Sequence, residues 1–292
     1  MQFDAFCRAH GLIVDGMHTV QTGRWVRVAT EDHPRTRNGA YKFLGDVGWV
    51  QNHAVQMDVS TWRPDAGAPE LDMTRINADA AAFDLRMREG WKRSAARAEQ
   101  MLSSTTLAEH NYLHIKGLPD ARGLVLADGA LMVPMRHWRT NALVGAQLIR
   151  WLPEQMAYEK KMMPGMRAKG AVLRLGSAAA PRTWLVEGIA TGLSVEAAVR
   201  LLRLRDAVLV CFSAGNLIHV AKQLDARCVV FADNDESGAG QRAAVTTGLP
   251  YCMSPWQGED ANDMHQRAGV FKLANLMMGV KAASALDAGV AA

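Results

Sequence analysis

From Thr183 onward the apolar residues come in short unbroken runs, TWLV, AVLVCF and CVVFA, each followed by a more polar, helix-compatible stretch. A run with no polar alternate belongs to a strand covered on both faces, and the strand, helix, strand rhythm is that of a parallel sheet. The pattern predicts an α/β domain over 183–280, with helices ending near Leu204 and starting near Asn216 and Gly240. Upstream, over 105–182, shorter apolar runs (123–126, 130–135, 142–149) alternate with glycine turns, which predicts a mixed, β-containing subdomain. Residues 76–104 are rich in Ala, Arg, Met and Glu, without proline, and Phe83, Met87, Trp91 and Ala95 recur every fourth position, the mark of a helical connector. Residues 1–75 read as a short helix at 3–10 and β pieces at 18–29, 40–44 and 48–55, separated by Gly, Asn and Asp turns: a small β-rich domain. The last twelve residues, KAASALDAGVAA, are low in complexity and are expected to be disordered.

Composition narrows the class. The 292 residues suit about two domains, and 49% hydrophobic with 21% charged residues excludes collagenous and disordered chains. The four cysteines, Cys7, Cys211, Cys228 and Cys252, are far apart with no C-x-x-C pair, so neither a zinc ribbon nor a disulfide framework is expected. A reducing, cytoplasmic compartment follows. MQFDAFCRAH lacks a signal-peptide pattern, and no apolar run approaches the roughly 18 residues of a membrane span. The net charge of +4 is unevenly spread: residues 1–120 carry −1, residues 121–182 carry +7 and the remainder −2. A basic stretch just before an acid-bearing domain calls for a polyanionic partner.

Ligands of open parallel sheets bind beyond the carboxyl ends of the strands, so the residues just after each run matter most. Here they are acidic: Glu187 follows TWLV, and Asp233 and Asp235 follow CVVFA. Three carboxylates on one edge repel each other unless a divalent cation lies among them, and Mg²⁺ (or Mn²⁺) held by carboxylates and substrate phosphates is the expected solution. Gly188, Gly192, Gly238 and Gly240 let backbone approach a bulky ligand. Glu259, Asp260 and Asp263 form a further acidic cluster, with Asp260 the candidate additional ligand. The bland alternatives, a solvated strand end and an Asx turn, each suffice for one site alone, but less well for both in this order.

These same residues carry a resemblance. EGIATGLSVEAA, VLVCFSAGNLIHVAKQL, VVFADNDESGAGQRAA and EDANDMH resemble the Toprim primases of plasmids and bacteriophages; NYLHIKGL, MVPM and KKMMPGMRAKGAVLRLG are similar to the basic core of such enzymes, and EDHPRTRNGAYKF, more loosely, to their N-terminal part. The resemblance implies a Toprim domain with Glu187, Asp233 and Asp235 as catalytic and metal-holding residues, and a DNA primase that makes short RNA primers on single-stranded DNA from nucleoside triphosphates in a bacterial host. Glu187 would hold a metal or accept a proton. Lys116, Lys161, Arg167 and Lys169 would contact nucleotide or template backbone, against the bland reading of a solvated basic loop. Arg35 and Arg37, with Asn38, would clamp DNA or else form a polar turn.

Two departures stand out: no zinc-ribbon spacing occurs, and MVPM continues into Arg136 and His137 where an acid is common. No G-x-x-x-x-G-K-[ST] loop occurs, so a replicative helicase is expected to be a separate protein. Trp25, Trp49, Trp62 and Tyr41 read as core more readily than as base-stacking residues. Ser213 lies outside a G-x-S-x-G elbow, and the histidines lack metal spacing. The competing functions are a Toprim metal-dependent nuclease and a non-catalytic single-stranded-DNA-binding accessory protein.

Overall fold

The structure is a computed structural model that describes residues 2–14, 25–45, 47–53, 58–64, 73–224 and 227–287, with backbone alone for 73–77, 79, 80, 83 and 281–287. The chain divides into two compact units, residues 1–89 and 90–292.

In the first unit, α1 (Phe3–Ala9) precedes a four-stranded antiparallel meander of β1 (Val26–Val28), β2 (Gly39–Phe43), β3 (Gly48–Asn52) and β4 (Ser60–Trp62). β3 alternates buried and half-buried positions, the period of a sheet with one face on a core. That core is Phe3, Cys7, Leu12, Val14, Tyr41, Val50 and Trp62, with Phe3 stacked on Phe43 at 4.5 Å. A Cβ on Gly48 would meet the Phe3 ring at 2.1 Å, so glycine is what lets α1 lie against the strand. Tyr41 and Trp62 are core, as their setting in apolar strands suggests. Of the β piece expected at 18–29, residues 18–24 lie outside the described residues, as do 54–55 of the piece at 48–55.

α2 (Met73–Ser103) crosses from one unit to the next. Among its described side chains the buried ones are Ser94 and Ala98, which sit one place before and three after Ala95 of the predicted stripe, while Met87 is exposed. Ala98, with Met101 and Leu102, packs on Leu126, Met132, Leu143 and Met163, so the face that meets the sheet decides which stripe is buried.

The second unit continues with β5 (Thr106–Ala108), α3 (Asn111–Ile115), β6 (Gly123–Val125), β7 (Leu131–His137), β8 (Leu143–Leu152), a 3-10 turn, β9 (Ala157–Met162), β10 (Ala171–Leu175), β11 (Thr183–Val186), α4 (Ile189–Leu201), β12 (Ala207–Val210), α5 (Ala214–Ala221), β13 (Cys228–Phe231), α6 (Ala239–Thr247), β14 (Tyr251–Cys252), α7 (Ala261–Ala268) and α8 (Val270–Asp287). One ten-stranded sheet runs β14-β13-β11-β12-β10-β7-β6-β5, with β8 and β9 branching from β7. β14, β13, β11 and β12 are parallel; β10 is antiparallel to both β12 and β7. The basic subdomain and the α/β domain therefore share one hydrogen-bonded sheet, joined at β10. β11, β12 and β13 are buried at every position, as their unbroken apolar runs require. One face packs Trp184, Val186, Val208, Val210, Val229 and Phe231 under α4, α7 and α8; the other packs Leu185, Leu209, Cys211 and Val230 under α5 and α6. The backbone of α8 continues to Asp287, so helix occupies 281–287 of the segment expected to be disordered; residues 288–292 lie outside the described residues. No helix among the described residues is long and apolar enough to cross a membrane.

Candidate active site

The parallel order β13-β11-β12 sets the first acid beside the second pair. Glu187 follows β11, and its carbonyl accepts the Phe212 N–H from the neighbouring strand at 2.8 Å. Gly188 then caps α4. Asp233 and Asp235 follow β13, and Gly238, left-handed at φ 68°, turns the chain into α6. Gly240 is the close-packing position: a Cβ there would lie 2.2 Å from the Asp233 carbonyl oxygen.

The carboxyls differ sharply in state. Asp233 is pushed up to about 7, first by burial and then by the charges of Asp260, Glu187, Asp235 and Asp263. Its Oδ1 is buried with no hydrogen-bond partner. Glu187 is also raised, by burial and then by Asp235. Asp235 is held down at about 2 by the Ser237 hydroxyl and by the N–H groups of Gly240 at 2.9 Å and Ala239 at 3.1 Å, donors at the start of α6. Asp260 caps α7 by accepting from the N–H of Asn262 at 2.7 Å and of Asp263 at 2.9 Å, while the buried Thr191 hydroxyl donates to its Oδ2 at 3.0 Å.

Among the described residues, no three His, Cys, Asp or Glu side chains lie close enough together to hold a metal ion. The acids share an edge but not a chelating cluster, because like charges repel and the N-termini of α6 and α7 take up Asp235 and Asp260. Glu259 and Asp263 of the acidic cluster are themselves braced: Arg267 and Ser254 hold both Glu259 oxygens, and Asp263 accepts the Asp260 N–H while Lys116 lies 3.9 Å from its Oδ1. The site still fits one hard cation, because Asp233 presents an orphaned buried oxygen amid uncompensated negative charge, and Mg²⁺ takes one or two carboxylates plus phosphate oxygens.

The basic candidates fall in separate places. Lys116 stands beside the acids, its carbonyl accepting from the buried Asn262 side chain at 2.7 Å. Lys169 lines a cavity of about 340 Å³ with Met162, Ser213, Asn216 and His219. His219 there is held below its usual range by burial and by the positive charges of Lys169 and Arg167; Arg167 also lies over the Trp91 ring at 5.3 Å. Lys161, 73% exposed and paired with Glu159 at 2.7 Å, lines a different cavity of about 240 Å³ with Arg97 and Arg150. Arg35 and Arg37 are exposed in a turn of the first unit.

Asn216, read from the sequence only as the start of a helix, ties the basic loop to the acid-bearing sheet. Its Oδ1 accepts the Gly170 N–H at 2.7 Å, and its Nδ2 donates to the carbonyls of Ala171 and Cys211, both at 2.8 Å. The signal that could have found it is SAGNL, an amide in the first turn of the helix that follows β12. Asn216→Ala removes the partner of three backbone groups, with an expected loss of about 2–3 kcal/mol in denaturant unfolding. Unchanged stability would show that water replaces the amide.

Residues 182–270 match the family described as the Toprim domain. The match begins one residue before β11 and ends at the first residue of α8. Among solved structures, a chain from a bacteriophage T7 assembly, described as a lagging-strand DNA polymerase interacting with primase domains of two gp4 subunits bound to an RNA/DNA hybrid and dTTP, is 13% identical, with a TM-score of 0.39 over 60% of this chain and 91% of that one. A TM-score of that size defines no shared fold. Comparison with curated proteins finds no match.

Proposed function

We propose that the chain is a DNA primase: a nucleotidyltransferase that makes short RNA primers on single-stranded DNA from nucleoside triphosphates, with Mg²⁺ or Mn²⁺, for a phage or plasmid replicating in bacterial cytoplasm beside a separate helicase. The observation that carries this reading is the continuity of the sheet, which sets the Toprim carboxylates and the Lys169 cavity on adjoining strands tied together by Asn216. An enzyme that collects free nucleotides and a template needs basic ground beside its acids.

In that reaction a 3′ hydroxyl attacks the α-phosphorus of a triphosphate, a P–O bond forms, pyrophosphate leaves and the hydroxyl proton is lost. A cation held by Asp233 together with substrate phosphate oxygens would neutralise the phosphates and acidify the hydroxyl, which leaves Glu187 free for the proton. Glu187, raised toward protonation by burial and by Asp235, is suited to take that proton. Asp235, fixed by the start of α6, remains an anion that orients its surroundings. Lys169 and Arg167 would hold phosphates of the nucleotide or the template.

The test is incorporation of labelled nucleoside triphosphates on single-stranded DNA with no added primer, native chain against Asp235→Asn. Products lost in the variant support the primase. Metal-dependent shortening of the template would replace it with the nuclease, and DNA binding indifferent to chelator, with neither reaction, with the accessory protein. The double variant Arg167→Ala, Lys169→Ala should bind single-stranded DNA with a log–log salt slope shallower by about 1.4, two phosphate contacts at about 0.7 each. An unchanged slope would mean these side chains are merely solvated.

A further inference from the structure

Trp256 is the aromatic residue that the site described above does not use. It is 59% exposed, although the Arg267 guanidinium lies over its ring at 4.5 Å from the centroid. Exposed apolar residues are common on any surface, and Trp25, Trp151 and Phe271 are others here. Rigidity and location set Trp256 apart.

The turn that carries it is fastened at every step. The Trp256 N–H donates to the buried Ser254 hydroxyl at 3.2 Å, that hydroxyl donates to Glu259 at 2.6 Å, and the Trp256 carbonyl accepts the Glu259 N–H at 3.3 Å. Glu259 grips Arg267 with both oxygens, which fixes the cation against the indole. The whole turn is bonded to Asn234: the Asn234 N–H donates to the Glu259 carbonyl at 3.1 Å, its carbonyl accepts the Gly258 N–H at 2.6 Å, and its side chain donates to the Ser254 carbonyl at 2.9 Å. Asn234 stands between Asp233 and Asp235. A 59% exposed indole with an ion-paired guanidinium over its ring is thereby carried on a turn bonded to the residue between Asp233 and Asp235.

We propose that Trp256 is a stacking platform for an unpaired nucleobase of a ligand whose phosphates lie at the carboxylates, with Arg267 and Glu259 as its positioning residues. A flat, electron-rich ring needs a flat partner, and bases stack on aromatic side chains with little regard to sequence. The choice of a nucleic ligand rests on the function proposed above; the platform deepens it by assigning where a base goes. The base belongs either to the template strand or to a nucleoside triphosphate.

The two sources separate by probe. In one arm the full chain, with Mg²⁺, binds a thymidine oligonucleotide or an abasic oligonucleotide of equal length; in the other it binds ATP or inorganic tripolyphosphate. The native chain should prefer the base-bearing probe by roughly tenfold in the arm that supplies the base, as one stacked base implies. Trp256→Ala should abolish that preference without weakening the base-free probe, and Trp256→Phe should retain most of it. Tripolyphosphate and abasic binding also report whether the variants fold. A preference that survives in Trp256→Ala, or a native chain with no preference in either arm, would overturn the proposal and leave the pair as a surface cation–π contact. Primer synthesis is measured on the same native sample: its absence with the Trp256-dependent preference intact would sink the primase and spare the platform, and synthesis without the preference would do the reverse.

Discussion

Asp233→Asn is expected to make the metal-free protein more stable while reducing metal-dependent nucleotide incorporation by about a hundredfold or more. The Asp233 carboxyl ionises near 3.8 in an unfolded chain and at about 7 in the folded one, because burial and then Asp260, Glu187 and Asp235 oppose its charge. The folded state thus binds the proton more tightly, so stability falls as pH rises from about 4 to about 7, and the full penalty is present above that. Each unit corresponds to about 1.4 kcal/mol, and relaxation of the side chain brings the penalty to roughly 2–4 kcal/mol. Asparagine keeps the shape and removes the charge. Thermal unfolding in chelator at pH 5 and pH 8 should show the native chain losing stability between them by more than the variant, and Mg²⁺ should restore the native chain at pH 8. A variant less stable at pH 8 with undiminished incorporation would make Asp233 a structural residue.

Gly240→Ala is expected to cost about 3 kcal/mol or more and to remove activity with it. The added Cβ would lie 2.2 Å from the Asp233 carbonyl oxygen and 3.0 Å from its nitrogen and carbonyl carbon, all backbone atoms with no cheap way to yield. Either α6 moves away, taking the N–H that holds Asp235, or the Asp233 backbone shifts. Gly215→Ala is the control, since it lies in α5 with nothing within 4 Å of an added Cβ, and should be neutral or slightly stabilising. Denaturant unfolding of both variants reads the difference; a Gly240→Ala protein as stable as the native one would show that the loop yields freely.

The acids were legible because a parallel strand covered on both faces must be apolar throughout, so its end is visible as the first polar residue: Glu187 after TWLV, Asp233 after CVVFA. Their separate electrostatic states were not legible, since Asp233 and Asp235 differ only in that one lies in a crowd of carboxylates and the other faces the N–H groups opening α6. The partners of the acidic cluster at 259–263 were hidden for a related reason: Arg267 lies eight residues from Glu259, and Lys116 is 147 positions before Asp263, so composition shows the charges and not what they pair with. The helix at 73–103 was legible from its period, but which of its described positions are buried was not, because Ser94 and Ala98 are set by where the helix meets the sheet.

The sequence by itself determined the strands and helices of the α/β unit, the carboxylates at their ends and the basic character of the stretch before them, because burial on both faces and local charge are written residue by residue. Only the tertiary structure decided that β11 lies between β12 and β13, that β10 joins two regions into one sheet, that Asn216 ties the basic loop to the acid edge and that Trp256 is fixed beside it. Those features are pairings between residues far apart in the chain, whose geometry exists only once the strands have chosen their neighbours.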